Sequence, residues 1–272
     1  MFKKTSLYIL IVLFSAVLPS CSKYSKISKS QDFKYKYEKA MEYYEREDYY
    51  HALNLFDQVI PFYRGTDEAE DIAYKYSYAY YYQKDYILAS YYFDRFAKTF
   101  PRSEKAEEAS FMTAYCKYLD SPVYSLDQTN TYEAINGLQL FINAYPKSSR
   151  LEECNALIDE LREKLQKKEF ETAKLYLKMR KYKAAVTSFD QLLKDYPDTK
   201  MKEDAMFYMI QAYYFYASKS VRSKRQERYA EAMDTYNNNT FITLYPDSKH
   251  NKDIKYMTDR ARKQLDNIEE RN

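Results

Sequence analysis

Few residues of this chain are set up to do chemistry. The two histidines, His51 and His250, are far apart, and neither stands in a metal-ligand spacing such as H-x-x-x-H. No Ser-His-Asp order, nucleophile elbow or paired-carboxylate motif rises above a background of 40 acidic residues. Adjacent acids such as Glu107 and Glu108 suit the charged start of a helix better than acid–base catalysis. Only two glycines occur, Gly65 and Gly137, which argues against a glycine-rich phosphate loop and against tight-turned β structure. The residue types therefore predict no enzyme, no cofactor and no metal.

Cys21 is the exception. Lys3 and Lys4 precede an apolar run from Leu7 to Leu18 that ends in small residues and a cysteine, the pattern of a secretory signal peptide over residues 1–20. The run is short for a membrane span of ~20 residues. Its last four residues, Leu18, Pro19, Ser20 and Cys21, resemble a bacterial lipoprotein cleavage box, with Pro19 departing from the usual small residue. In such proteins the cysteine becomes the lipid-bearing first residue. Several acyl chains, each buried methylene contributing ~0.8 kcal/mol, make that attachment effectively permanent. Ser22, where an aspartate would signal the inner membrane, favours the outer membrane by the same resemblance. Residues 21–31, with the polar and mildly basic stretch SKYSKISKSQ, are expected to form a flexible lipidated tether.

Cys116 and Cys154 could pair in an oxidising compartment. Both sit in apolar-periodic helical runs, where a lone thiol acts as a small buried hydrophobe, and free thiols are the expectation. Without Lys3 and Lys4, the 43 basic residues fall to 41 against 40 acidic, so the body is close to neutral. A nucleic-acid partner would call for a basic excess, and none is expected.

What must position any binding group is a repeat. The segments FDRFAKTFPR (93–102), LQLFINAYPK (138–147), FDQLLKDYPD (189–198) and FITLYPD (241–247) echo one another, and Pro101, Pro146, Pro197 and Pro246 recur every 45 to 51 residues. An aromatic-Pro stop after each apolar helical run marks a solenoid of helix pairs. The tetratricopeptide pattern fits it. Ala89 as the small residue of the second helix places Ser77, Tyr80, Phe93 and Pro101 in register, and Ala185 does the same for Ala173, Tyr176, Phe189 and Pro197. Ala52 aligns with Ala40, Tyr43 and Phe56, but Arg64 replaces the proline; Ala134 and Ala232 anchor two looser repeats. The expected helix pairs are 33–46 with 49–63, 67–83 with 86–99, 104–119 with 131–145, 150–179 with 182–195, and 201–218 with 226–244. A polar helix over 248–270 would cap the array. The fold class is an all-α solenoid of about five such pairs, spanning 32–272.

In this architecture the first helix of each pair lines a groove. The candidate substrate-binding residues are Tyr37, Met41 and Tyr44 in the first repeat and Tyr74, Tyr78 and Tyr81 in the second, large rigid rings with one polar tip. Composition alone can fill such a wall, because 34 of 272 residues are tyrosine. The second candidate is the basic run Lys219, Arg222, Lys224, Arg225 and Arg228, read as the connector between the helices of repeat five. It suits an acidic partner or anionic headgroups, against the plainer reading of a solvated loop.

One stretch is more specific. Leu161 to Thr199, preceded by FINAYPKSS at 141–149, combines L-x-x-x-L-x-x-x-E-F, L-Y-x-K-x-x-x-Y-x-A-A and F-x-x-L-L-x-x-Y-P-D-T. Together with the lipoprotein box and the five repeats, this resembles the BamD family, the lipoprotein members of the outer-membrane β-barrel assembly machinery. The resemblance implies a helper anchored to the outer membrane and facing the periplasm. Its C-terminal repeats would dock the periplasmic domains of a barrel-forming partner, and its N-terminal repeats would receive unfolded β-barrel substrates. The tyrosine-rich first repeats and the basic run after Ser218 depart from the family pattern. Two other classes compete: a tetratricopeptide lipoprotein coordinating cell-wall synthesis or division, and a glycan-binding lipoprotein. The second would gain from tryptophan platforms, and the chain has no Trp.

Overall fold

The computed structural model describes residues 18–239 and 241–270, so the leader through residue 17 lies outside the described residues. The described chain is helical throughout, with no strand. After α1 (Leu18–Ser28), the helix pairs are α2 (Phe33–Glu45) with α3 (Tyr49–Val59), α4 (Glu68–Tyr82) with α5 (Tyr86–Thr99), and α6 (Ala106–Leu119) with α7 (Thr129–Ala144). Next come α8 (Leu151–Lys178) with α9 (Tyr182–Asp195) and α10 (Lys202–Ser218) with α11 (Arg222–Asn239), then a single turn α12 (Phe241–Leu244) and α13 (Asn251–Glu269). This is the all-α, tetratricopeptide-like solenoid class that the repeats predict.

The chain divides into two compact units. Unit 1 holds Met1–Pro122 and Thr129–Ile158; unit 2 holds Val123–Gln128 and Asp159–Asn272. The six-residue insert at 123–128 thus belongs with the second unit, where Lys168 Nζ donates to the Leu126 carbonyl and Lys167 Nζ sits 4.6 Å over the Tyr124 ring.

The repeat positions explain the packing in each unit. Ala40, Ala52, Ser77, Ala89, Ala173 and Ala185 are completely buried, small enough to let the helices of a pair approach closely. Phe56, Phe93, Leu138 and Phe189 fill the next layer with no exposed surface. In the third repeat Gly137 takes over the close approach, since a Cβ there would meet Ala114 Cβ at 3.3 Å. At the C-terminus Ile254, Met257 and Ala261 are buried on α13 while its other faces stay polar, which makes it the expected cap.

Three hairpin turns share one construction. Asp48 N donates to the Tyr43 carbonyl and Glu47 N to Tyr44; Asp85 and Lys84 repeat this on Tyr80 and Tyr81, and Lys181 and Arg180 on Tyr176 and Leu177. These are Schellman closures with Glu47, Lys84 and Arg180 in the left-handed region, at φ of 62°, 62° and 60°. Side chains there cost ~1 kcal/mol or more relative to glycine. Lys84→Gly and Arg180→Gly should each stabilise the protein by about 0.5–1 kcal/mol net of the extra unfolded-state entropy, read as a rise in urea midpoint. A drop in both would mean the side chains make contacts that outweigh the strain.

Two sequence expectations need correction. The stretch 21–31 is not a flexible tether: α1 runs through Ser28, Ile27 is buried in the first-repeat core, and Tyr24 packs on Tyr43 and His51. Ile27 and the Tyr24 ring dock an otherwise polar segment. The basic run is not a connector either, because α11 begins at Arg222, four residues earlier than expected, and only Lys219, Ser220 and Val221 link it to α10.

Candidate functional site

Unit 1 carries the tyrosine wall. All six predicted residues are half-buried. Tyr37 stands 5.0 Å from the Tyr63 ring, and Met41 packs on the first-repeat core. Tyr44 meets Tyr49 edge-on at 5.5 Å and has Lys75 Nζ 5.4 Å over its ring. On α4 the rings of Tyr74 and Tyr78 are 4.9 Å apart, with Tyr81 6.1 Å from Tyr78. Tyr78 donates its hydroxyl to Glu108 Oε1 at 3.0 Å, and Arg150 holds the same carboxylate at 2.6 Å while stacking on Phe111 at 4.2 Å. Lys105, paired with Asp71 at 3.2 Å, sits 4.9 Å over Tyr74.

The wall is therefore a packed joint between neighbouring repeats as well as a surface. Burial pushes the phenols of Tyr37, Tyr44, Tyr74, Tyr78 and Tyr81 above the ordinary tyrosine range. They stay neutral hydrogen-bond donors at any physiological pH.

Sequence reasoning missed a cleft of about 530 Å³ on the other side of α4. Ile60, Tyr63, Ile72, Tyr76, Phe96 and Phe100 give it an apolar lining, and Arg64 and Arg95 are its only charged side chains. At its wall Tyr76 donates to Asp57, accepts from Tyr80 Oη (3.1 Å), and packs edge-on against Tyr92 at 4.6 Å. The missing proline at Arg64 was the available signal: the exit of α3 tightens into a short 3-10 turn, Ile60–Phe62, and reverses at Gly65 with φ of 82°. A side chain on that backbone would be strained.

In unit 2 the basic run splits. Arg225 Nε donates to the Ser220 carbonyl at 2.9 Å, and Arg228 stacks on Tyr216 at 4.0 Å while donating to Ser220 Oγ. Lys224 pairs with Glu227 at 2.8 Å, and Arg222 is exposed on the first turn of α11. Lys219 and Arg228 also join Arg180 and Lys181 from the α8–α9 turn and Lys183 from the first turn of α9 around an open cleft of about 800 Å³ with no acidic lining residue. Sequence reading missed those three partners because they come from the preceding repeat. Lys181 also occupies the N-cap position that Asp48 and Asp85 fill on α3 and α5, so this turn is cationic where the equivalent turns are not.

Both histidines serve the fold. His51 lies 4.1 Å from Tyr24 with Nδ1 2.8 Å from Asp48 Oδ1. His250 stacks on Phe207 at 3.9 Å and meets Asp204 at 2.6 Å. Burial opposes the charge on Asp204, but His250 and Lys249 outweigh it and hold that carboxyl below its usual range. Among the described residues no group of three or more His, Cys, Asp and Glu could hold a metal ion. Cys116 and Cys154 are free and buried, with burial pushing the Cys116 thiol up to about 12. Cys21 falls in α1, but its side chain lies outside the described residues. No helix among the described residues is long and apolar enough to cross a membrane.

Comparison with known proteins adds the following. The model of the YfiO family, described as an outer membrane lipoprotein, matches residues 29–229. No curated protein matches the chain in sequence. Among solved structures, the chain is similar to a TPR repeats protein of Bacteroides fragilis, at 16% identity and a TM-score of 0.40, covering 86% of this chain and 100% of that one. It is also similar to the TPR2AB domain of yeast Sti1, at 12% identity and a TM-score of 0.39, covering 84% and 98%.

Proposed function

The chain belongs to the YfiO family of outer membrane lipoproteins, and from that premise we propose that it is a scaffold, not an enzyme, that helps assemble β-barrel outer-membrane proteins. Acyl chains on Cys21 hold it to the outer membrane with its repeats in the periplasm. Unit 1 receives extended segments of unfolded β-barrel substrates, and unit 2 docks the periplasmic domains of the barrel-forming assembly protein. The observation that carries this reading is the contrast between the two concavities. The unit 1 cleft is apolar with two arginines, which suits an extended apolar segment, and the tyrosine wall lies across α4 from it. The unit 2 cleft is ringed by five cations, which suits an acidic protein surface and speeds its capture. Lys219 and Arg228 line that cleft and act in the docking, Arg228 while also held to Ser220 and Tyr216; Lys224 and Arg225 lie outside it.

Depletion of the protein in its own cell, followed by quantitative proteomics of the outer membrane and pull-down of a tagged copy, tests the proposal. Broad loss of β-barrel proteins and co-purification of a large barrel protein are expected. Charge reversal at Lys183 and Lys219, both exposed, should weaken capture of that partner by roughly tenfold or more, with less loss at high salt. Normal barrel levels with cell-wall enzymes in the pull-down would overturn the assembly role.

A further inference from the structure

We propose that the hairpin-turn edge of unit 1 is a membrane-contact surface, with Tyr50 and Ile87 resting in the headgroup layer of the bilayer that holds the acyl chains of Cys21. The inference rests on the acylation of Cys21 proposed above and adds a second, non-covalent contact that fixes how unit 1 faces the membrane.

The anchor is rigidly joined to the fold. Ile27 is 2% exposed in the first-repeat core, Tyr24 lies 4.1 Å from His51, and Gln58 Nε2 donates to Ser28 Oγ at 3.2 Å. Because Tyr24 sits beside residue 51 and Ser28 beside residue 58, α1 runs in the same sense as α3. Cys21, one turn or about 4.5 Å before Tyr24 along the helix axis, therefore lies level with Asp48 at the N-terminal end of α3. Even if that first turn unwound, three residues span at most about 10 Å. A headgroup layer is roughly 5–8 Å thick. Whatever occupies the edge next to Tyr24 is held within reach of lipid.

That edge carries exposed apolar side chains in repeat register. Tyr50 follows the N-cap Asp48 by two residues, and Ile87 follows Asp85 by two; they are 65% and 67% exposed. Tyr50 lies 5.4 Å from His51, the ring against which Tyr24 packs. Tyr132, two residues before Ala134 as Tyr50 precedes Ala52 and Ile87 precedes Ala89, repeats the position in the third repeat and is also exposed. The fourth repeat has Lys183 there, so the apolar row belongs to unit 1.

Exposed Lys23 and Lys26 on α1 and Lys84 in the second turn add cations suited to phosphate headgroups; Glu47 is the exposed acid beside them. Tyrosine is amphipathic and favoured at the boundary of lipid and water. A handful of such contacts would attach nothing alone. Beside a covalent anchor the contact is effectively intramolecular, and a weak surface suffices to orient the unit.

The chain has no tryptophan, so a single introduced indole is an unambiguous reporter. Full-length lipidated Tyr50→Trp, Ile87→Trp and Phe62→Trp proteins are reconstituted in phosphatidylethanolamine–phosphatidylglycerol vesicles with and without brominated acyl chains. Phe62 is exposed at the opposite end of α3, about 18 Å from Tyr50 along the helix. The expected result is a blue shift and at least a twofold bromolipid quench for Tyr50→Trp and Ile87→Trp, with Phe62→Trp unchanged.

Equal emission at all three positions, in protein whose Cys21 acylation is verified by mass spectrometry, overturns the surface and leaves the anchor standing. Unacylated Cys21 removes both. A photocrosslinker at Ile87 that captures a protein instead of lipid in intact cells also overturns it, and marks the edge as a protein interface.

Discussion

Phe93→Ala should destabilise unit 1 by about 3–5 kcal/mol, the usual range for removing a fully buried phenylalanine. The ring has no exposed surface, sits at the large-apolar repeat position of the second helix pair, and meets Tyr78 edge-on at 4.8 Å and Tyr74 at 6.5 Å. Against a total of roughly 5–15 kcal/mol for a domain, that is a large fraction. The effect should be local, because each repeat depends on its neighbours. Amide hydrogen exchange in Phe93→Ala should accelerate in α4, α5 and α6 and stay near wild type in α9 and α10. Phe189→Ala, in the equivalent buried position of unit 2, should do the reverse. Ile87→Ala, on an exposed site of the same α5 helix, should change stability by no more than about 0.5 kcal/mol. Similar losses for Phe93→Ala and Ile87→Ala would break the assignment of repeat positions.

The same substitution bears on binding, since Phe93 supports the wall from below. Alanine at Tyr74 or Tyr78 would confound lost packing with lost capture, because both rings take part in the joint to the third repeat. Phenylalanine substitutions at Tyr44 and Tyr81 keep the rings and remove only the hydroxyls, so they separate the two roles; Tyr78→Phe would also remove the bond to Glu108.

How much could be read in advance follows the range of the interactions involved. Helix ends were legible because their causes are local: Asp32, Asp48 and Asp85 cap with their own carboxylates, and each aromatic-Pro pair stops a helix within two residues. Small residues and phenylalanines at fixed register positions identified the core for the same reason. Features built from distant residues were not legible. The cationic cleft joins Arg180 and Lys183 to Lys219 and Arg228 across one repeat, and the apolar cleft joins the exit of α3 to α5. The docking of α1 rests on Ile27, Tyr24 and Ser28, too few and too mixed in type to register as periodicity. The early start of α11 escaped because its first turns carry no apolar face, only Arg222, Lys224 and Arg225.

Alkaline pH should destabilise the protein steeply through its tyrosines. Burial is the largest cause raising the Tyr76 phenol, helped by its hydrogen bonds to Asp57, Tyr80 and Tyr92; burial likewise leads for Tyr44 and Tyr78. In the unfolded chain these groups titrate near the ordinary value of ~10. Above that pH the folded state binds more protons than the unfolded state, so stability is fully present below pH ~10 and falls as pH rises beyond it. Each phenol that stays protonated contributes a slope of ~1.4 kcal/mol per pH unit.

Tyr76, only 4% exposed, should contribute that slope in full. Tyr44 and Tyr78 are only partly buried and are counted at about half for solvent screening. The sum is ~3 kcal/mol lost per unit above pH 10, enough to unfold a protein of ordinary stability within a few units. Urea midpoints at pH 8, 10, 10.5 and 11 would show it, with absorbance at 295 nm reporting phenolate. Tyr76→Phe should lower stability at pH 8, where its bond to Asp57 is lost, yet flatten the alkaline slope by ~1.4 kcal/mol per unit. An unchanged slope in Tyr76→Phe would mean that this phenol ionises in the folded state, and that the cleft wall it builds admits water.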